Sequence, residues 1–161
     1  MDKNKEKKTW DYVSALEQKS SINLKEKYNL FIGGKFVKPS SGKYYDTINP
    51  ATEERISKIA YGNNIDIDLA VKSARNAYLN IWSKVSPSEK SKYIYRIARL
   101  MQERARELAI IETLDSGKVI RESRDIDIPL ACNHFFYYAG WTDKLQYAFP
   151  NKKVSPLGVV G

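Results

Sequence analysis

Gly33 and Gly34 stand side by side between two short apolar pairs, Phe31-Ile32 and Phe36-Val37. No other stretch restricts the fold as much. Two consecutive glycines supply the positive φ angles that a two-residue hairpin turn demands, and the aromatic and β-branched flanks favour extended backbone. The spacing predicts a tight β-hairpin. Beyond a loop at Ser40 to Gly42, the run Tyr44 to Ile48 predicts a second extended piece, closed by the turn Asn-Pro-Ala-Thr at residues 49–52. Arg55 to Tyr61 predicts one more strand, of imperfect alternation. The chain thus opens, after a polar lysine-rich extension at residues 1–27, with a small β layer.

From Asn63 the period changes from two to that of a helix. Asn63 with Asp66 three positions on has the form of an N-cap, and Ile67, Ala70, Val71, Ala74 and Tyr78 fall on one stripe. A second start is written in Ser86-Pro87-Ser88-Glu89: serine caps, proline suits the first helical position, and Glu89 completes a capping box. Tyr93, Ile97, Leu100, Met101 and Leu108 form the apolar face of that helical region, and Gly117 ends it. Because proline is tolerated only in a first turn, Pro129 sets another start near Asp125 to Asp127, for a helix running past Trp141 toward Gln146. Phe149-Pro150 breaks it. The closing run Ser155 to Gly161, SPLGVVG, reads as the opening of a buried parallel strand, of a sheet that these apolar helices would cover.

Composition narrows the function classes. The chain has 161 residues, enough for one ordinary domain. No run approaches the roughly 18 apolar residues of a membrane span, and the N-terminus lacks the apolar core of a secretory signal, so a cytoplasmic protein without membrane contact is expected. The formal charge of +8 comes with interleaved acidic residues and no recognition motif, which disfavours nucleic acid as a partner. Cys132 is the single cysteine and His134 the single histidine. Residues two apart do not face each other on a helix, so a core thiol is a better reading than a nucleophile–base pair. Asp125 and Asp127 diverge for the same reason and suit a helix N-terminus. The eight glycines form no phosphate-cradling motif. From residues and spacing alone, this is an α/β piece of something larger.

Four stretches in order, LFIGGKFV, INPATEE, ETLDSGKVIRES and FFYYAGWTDKL, with PLGVVG as a fifth, make the chain from about Tyr28 to Gly161 resemble the N-terminal third of an aldehyde dehydrogenase. The resemblance implies an α/β fold: the N-terminal part of a doubly wound NAD-binding domain, with a small β layer, helices and an incomplete parallel sheet. It divides the chain into the extension 1–27 and the domain part 28–161, with a short bridging and oligomerisation segment near 142–155. It implies oxidation of a small-molecule aldehyde to a carboxylic acid with NAD or NADP as cofactor, through a cysteine thiohemiacetal and a glutamate-activated water, in an enzyme that is a homo-oligomer when full length.

The nucleophilic cysteine, base glutamate, oxyanion asparagine and adenosine-binding residues of the family match positions beyond Gly161. Cys132 does not match the nucleophile's motif. No catalytic or cofactor-binding residue is therefore assigned here, and the chain by itself is expected to be inactive. The resemblance carries over a monovalent-cation site at the carbonyls of Thr47 or Ile48 and the carboxylate of Asp115. The other reading of Asp115 is a helix end closed by hydrogen bonds. It also places Ile126 and Leu130 on the helix lining the aldehyde channel, with core packing as the alternative. An expectation from a different class is a non-catalytic subunit that pairs with a complete paralogue.

Overall fold

The computed structural model describes residues 16–152 and 155–160. Most of the extension expected at residues 1–27 lies outside the described residues; of its weak apolar set Trp10, Tyr12, Val13 and Leu16, only Leu16 is described, and it is exposed. The described chain forms a β layer of short strands, β1 (Lys27–Tyr28), β2 (Leu30–Ile32), β3 (Lys35–Val37), β4 (Tyr44–Ile48) and β5 (Arg55–Ala60). Helices follow: α1 (Asn64–Asn80), α2 (Pro87–Glu103), α3 (Ala105–Ser116), α4 (Ile120–Glu122), α5 (Ile128–Ala139) and α6 (Leu145–Ala148).

The hairpin forms where the glycine pair places it. β2 and β3 are antiparallel with Phe31 opposite Phe36, and Gly33 and Gly34 turn between them at φ 61° and 78°. Both values lie in the region open to glycine, as a primed hairpin turn requires. The turn leans on α1, for a Cβ at Gly33 would sit 3.1 Å from the Ser73 hydroxyl. The other sheet has the order β1-β5-β4, with β4 antiparallel and β1 parallel to β5. Ser57 and Ala60 of β5 are buried, and the Ser57 hydroxyl donates to the Lys25 carbonyl at 2.7 Å. The register shifts between Thr47 and Ile48, a bulge at the end of β4.

α1 begins as its sequence dictates. The Asn63 side chain accepts from the amides of Ile65 and Asp66, while the Asp66 carboxylate accepts from the Asn63 amide. Ser40 also donates to Asp66 through its amide (2.9 Å) and hydroxyl (3.2 Å), tying the loop after β3 to this helix start. α2 starts with Pro87 in its first turn and the Ser86 hydroxyl accepting from the Glu89 amide. The reciprocal half of the expected capping box is not made, because the Glu89 carboxylate is taken by the Lys92 ammonium.

α2 and α5 pack antiparallel: Ser91 donates to the Ala139 carbonyl, and Tyr95 meets Phe136 edge-on at 4.8 Å. Small residues line that seam, with Ala98, Cys132 and Ala139 buried, which lets the helix axes approach closely. The faces expected to be apolar are largely bare. Ile97 and Leu100 on α2 are 44% and 57% exposed, and Ile67 and Val71 on α1 are 58% and 38%. The helical layer therefore buries small-residue seams and Ile110 internally and presents many of its larger apolar side chains outward.

Three boundaries differ from expectation. The last long helix begins at Ile120, not near Asp125: the chain runs from α4 through a π turn, Ser123–Asp127, into α5 with αR backbone at both junctions. A π turn widens the helix by one residue, which gives the Pro129 ring room against the preceding turn without breaking the rod. That helix ends at Ala139, before a turn and the short α6. The segment 155–160 forms no strand. It lies against α1, where Pro156 to Val160 and the side chains of Arg75, Tyr78 and Leu79 line a cavity of about 350 Å³.

Candidate functional site

The NP turn and the LDSG loop, distant in sequence, meet at one corner of the β layer. Asn49 builds the turn: its side chain accepts from the Ala51 amide at 2.9 Å, and its carbonyl accepts from the Glu53 amide at 2.8 Å. Pro50 is thereby pressed against the end of α3. There Gly117 holds φ 76°, with its amide donating to the Thr113 carbonyl, and a Cβ on it would stand 2.5 Å from Pro50 Cγ. Glycine is required at this position twice over, by backbone conformation and by close approach.

That contact brings two of the expected site residues together. The Thr47 hydroxyl donates to the Asp115 carboxylate at 2.5 Å. Ile48, the third expected ligand, follows at the bulge that interrupts the β4–β5 ladder. Such an irregularity frees backbone groups from the ladder, which suits the proposed use of carbonyls here. The partner of Asp115 is thus a neutral hydroxyl. The nearest basic side chain along the loop, Lys118, is engaged elsewhere, by Glu112 at 2.8 Å and Asp127 at 2.7 Å. Those bonds, with Asp127 the stronger, raise the Lys118 ammonium above its ordinary range and keep it charged. The donor set at the corner is all oxygen, the kind a hard cation prefers. Among the described residues no group of three or more His, Cys, Asp or Glu could hold a metal ion. Beside this corner lies a cavity of about 260 Å³, with Thr47 and Asp115 on its rim and Tyr28, Ile59, Ile111 and Leu114 in its walls.

Two links run from the loop to the π turn. Lys118 grips Asp127, and the Thr113 hydroxyl donates at 2.9 Å to Ser123, whose side chain is fully buried. Sequence reading missed both, and no periodicity signals either one. Ile126 lies within the π turn and Leu130 in the first turn of α5; they are 57% and 51% exposed, so neither is buried in a core among the described residues.

Cys132 is buried at the α2–α5 seam, and loss of solvent pushes its thiol above the ordinary range. A thiol so placed is poorly ionised and shielded, the opposite of a nucleophile. His134 is exposed and stacks on Tyr138. Asp125 pairs with its neighbour Arg124 and Asp127 with Lys118, so the two carboxylates do not act as a pair.

A dinucleotide does not fit the described residues. A strand feeds a long helix only at β5–α1, and the amides at that helix start are satisfied by Asn63, leaving no free cradle for phosphate. No helix among the described residues is long and apolar enough to cross a membrane.

The model of the aldehyde dehydrogenase family matches residues 36–161. The long-chain-aldehyde dehydrogenase of Acinetobacter is 37% identical over 162 residues, covering 93% of this chain and 31% of that protein. The human mitochondrial 10-formyltetrahydrofolate dehydrogenase is 38% identical over 162 residues, covering 92% and 17%. Among solved structures, an aldehyde dehydrogenase from Bacillus cereus in complex with NAD+ superposes with a TM-score of 0.74 at 40% identity, over 76% of this chain and 25% of that one. The chain thus spans less than a third of the length of these relatives. With the match spanning residues 36–161, a range that holds the NP turn, the LDSG loop and the α5 helix, the chain belongs to the aldehyde dehydrogenase family.

Proposed function

We propose that this chain is the N-terminal part of a cytoplasmic, NAD(P)-dependent aldehyde dehydrogenase that oxidises an aldehyde to a carboxylic acid through a cysteine thiohemiacetal, and that residues 1–161 alone do not turn over. The family match over residues 36–161 carries this reading. NAD(P) supplies the hydride acceptor when bound. The residues that would hold it, and the reactive cysteine, belong to the remainder of the enzyme. The described residues contribute neither, since Cys132 is buried and the α1 start is capped by its own side chains.

In this reading residues 28–161 are one domain part, residues 142–155 bridge to the rest, and the helices present their exposed apolar side chains to it. The enzyme is a homo-oligomer. Asp115 with the Thr47 or Ile48 carbonyl holds a monovalent cation that pins the β4 end to α3. Ile126 and Leu130 wall the aldehyde channel. The test is a chimera in which residues 36–161 replace the matched part of the Bacillus cereus enzyme. NAD-dependent aldehyde oxidation is expected from the chimera and none from the chain alone. A folded but inactive chimera, or turnover by the isolated chain, refutes the reading. For the cation, the chain is expected to melt higher in potassium or sodium chloride than in choline chloride, a difference that Asp115→Asn removes.

The bare apolar faces also favour a second reading, a non-catalytic subunit that pairs with a complete paralogue. Unchanged oligomerisation and activity of that paralogue in the presence of the chain would exclude it.

A further inference from the structure

The cavity beside the Thr47–Asp115 corner has a chemistry that an inorganic ion does not use. Its walls are aliphatic, from Leu24, Ile56, Ile59, Ile111 and Leu114, with the Tyr28 ring among them. The polar atoms around it are mostly engaged. The Ser57 hydroxyl donates to the Lys25 carbonyl at 2.7 Å, and the Tyr28 hydroxyl accepts from the Lys25 amide at 3.1 Å. The Thr47 hydroxyl donates to Oδ1 of Asp115, whereas Oδ2 has no hydrogen-bond partner and no ion pair among the described residues. Asp115 is exposed, so its carboxylate stands at the mouth and the aliphatic side chains line the interior. A hard ion is held by oxygens alone and gains nothing from such walls.

We infer that this cavity binds a small primary alkylammonium ion, with the ammonium on Asp115 Oδ2 at the mouth and the hydrocarbon tail among the aliphatic walls. Two gains combine in that pose. The N–H groups make a charge-assisted hydrogen bond to the carboxylate, and the tail leaves water for an apolar surface. At about 260 Å³ the cavity falls below the roughly 300–1,000 Å³ of pockets that take drug-sized molecules, so it suits a tail of a few carbons. A lysine side chain carries the same group, but at its tip. Entering the cavity, it would drive its charge into the aliphatic interior and away from Asp115, which is costly. A free amine enters tail first and keeps its charge at the mouth. The inference extends the reading of Asp115 as a cation ligand and does not require that an inorganic ion be held there.

The probes are n-butylammonium, methylammonium, n-butanol and N-acetyl-lysine methylamide. Each is titrated into the chain at constant ionic strength and followed by saturation-transfer NMR of the probe. Full burial of a methylene is worth about fourfold in affinity, so n-butylammonium should bind at least about tenfold tighter than methylammonium. It should bind about threefold tighter than n-butanol, the margin of an exposed ion pair. Asp115→Asn should erase that margin and leave n-butanol unaffected. The terminal methyl of n-butylammonium should receive more saturation than the methylene beside its nitrogen. Equal affinity for methylammonium and n-butylammonium overturns the inference and leaves a site for a bare cation. So does equal affinity for n-butanol, or an n-butylammonium affinity that Asp115→Asn does not lower. Binding of the lysine derivative as tight as that of the free amine also overturns it, in favour of a partner's side chain. Comparison among the probes needs no variant. The melting test in potassium, sodium and choline chlorides is read separately: a salt effect without n-butylammonium binding sinks only this inference, and the reverse result sinks only the inorganic ion.

Discussion

Replacing Gly117 by alanine tests whether the NP turn and the LDSG loop are fixed by the contact described above. The substitution has two separable costs. Holding alanine at φ 76° costs about 1–2 kcal/mol. Its Cβ also falls 2.5 Å from Pro50 Cγ, and forcing a proline in a hydrogen-bonded turn to retreat is overpacking, about 1–3 kcal/mol. Gly42 supplies the reference: it has φ 66°, and no heavy atom lies within 4 Å of its missing Cβ, so Gly42→Ala bears the conformational cost alone. The entropic effect of alanine on the unfolded chain is common to both and cancels. Gly117→Ala should therefore be less stable than Gly42→Ala by about 1–3 kcal/mol. Pro50→Ala removes Cγ and Cδ and leaves a Cβ at 3.4 Å, an ordinary contact. In that background the two glycine substitutions should cost the same. The assay is urea unfolding followed by far-UV circular dichroism at submicromolar protein, with all four combinations measured as a cycle. Equal costs for Gly117→Ala and Gly42→Ala in the parent, or no coupling to Pro50, would refute the argument.

Ser123→Ala should destabilise by about 1–2 kcal/mol, since it strands the Thr113 hydroxyl, and adding Thr113→Val should recover part of the loss; the same unfolding assay reads both. The Asp66 carboxyl is held below its ordinary range, chiefly by the Asn63 amide, which outweighs the opposing effect of burial, with each Ser40 hydrogen bond adding a smaller lowering. A depressed carboxyl stabilises fully above the unfolded aspartate value, about pH 4, and that contribution fades as pH falls through the lower folded value. Amide exchange at the start of α1 should thus accelerate under acid, whereas in Asp66→Asn it should be fast throughout. The exposed side chains around Ile97, Leu100, Tyr137 and Tyr138 should drive concentration-dependent association at micromolar protein. Sedimentation velocity showing one monomeric species at all concentrations would count against that.

What the sequence makes legible here is what neighbours in the chain decide. The glycine-pair hairpin, the Asn63–Asp66 cap, the Ser86-Pro87 start and the Gly117 stop all rest on residues within a few positions of one another, and all form. Of the candidate site, Thr47 and Asp115 were paired only through family resemblance. Nothing local indicates that the Pro50 ring fills the space a Gly117 side chain would need. Lys118 could have paired with several carboxylates, and its choice of Glu112 and Asp127 depends on the turn between α3 and α5. The rule that proline starts helices placed a boundary near Asp125, because an added residue of helical width leaves no compositional mark. The closing valines read as a strand because strand propensity does not say whether a neighbour is there to pair with.

That added residue affects how the helix tolerates change. An α-helix advances about 100° per residue, so the widening at Ser123–Asp127 acts as a phase adjuster between the loop clamped by Lys118 and the rod packed on α2. A helical wheel drawn straight through it would put every side chain upstream on the wrong bearing. Losing a single residue there could be absorbed as plain α-helix, but it would swing Ile126 around the rod relative to Leu130, resurfacing that wall while the hydrogen-bonded frame stays intact.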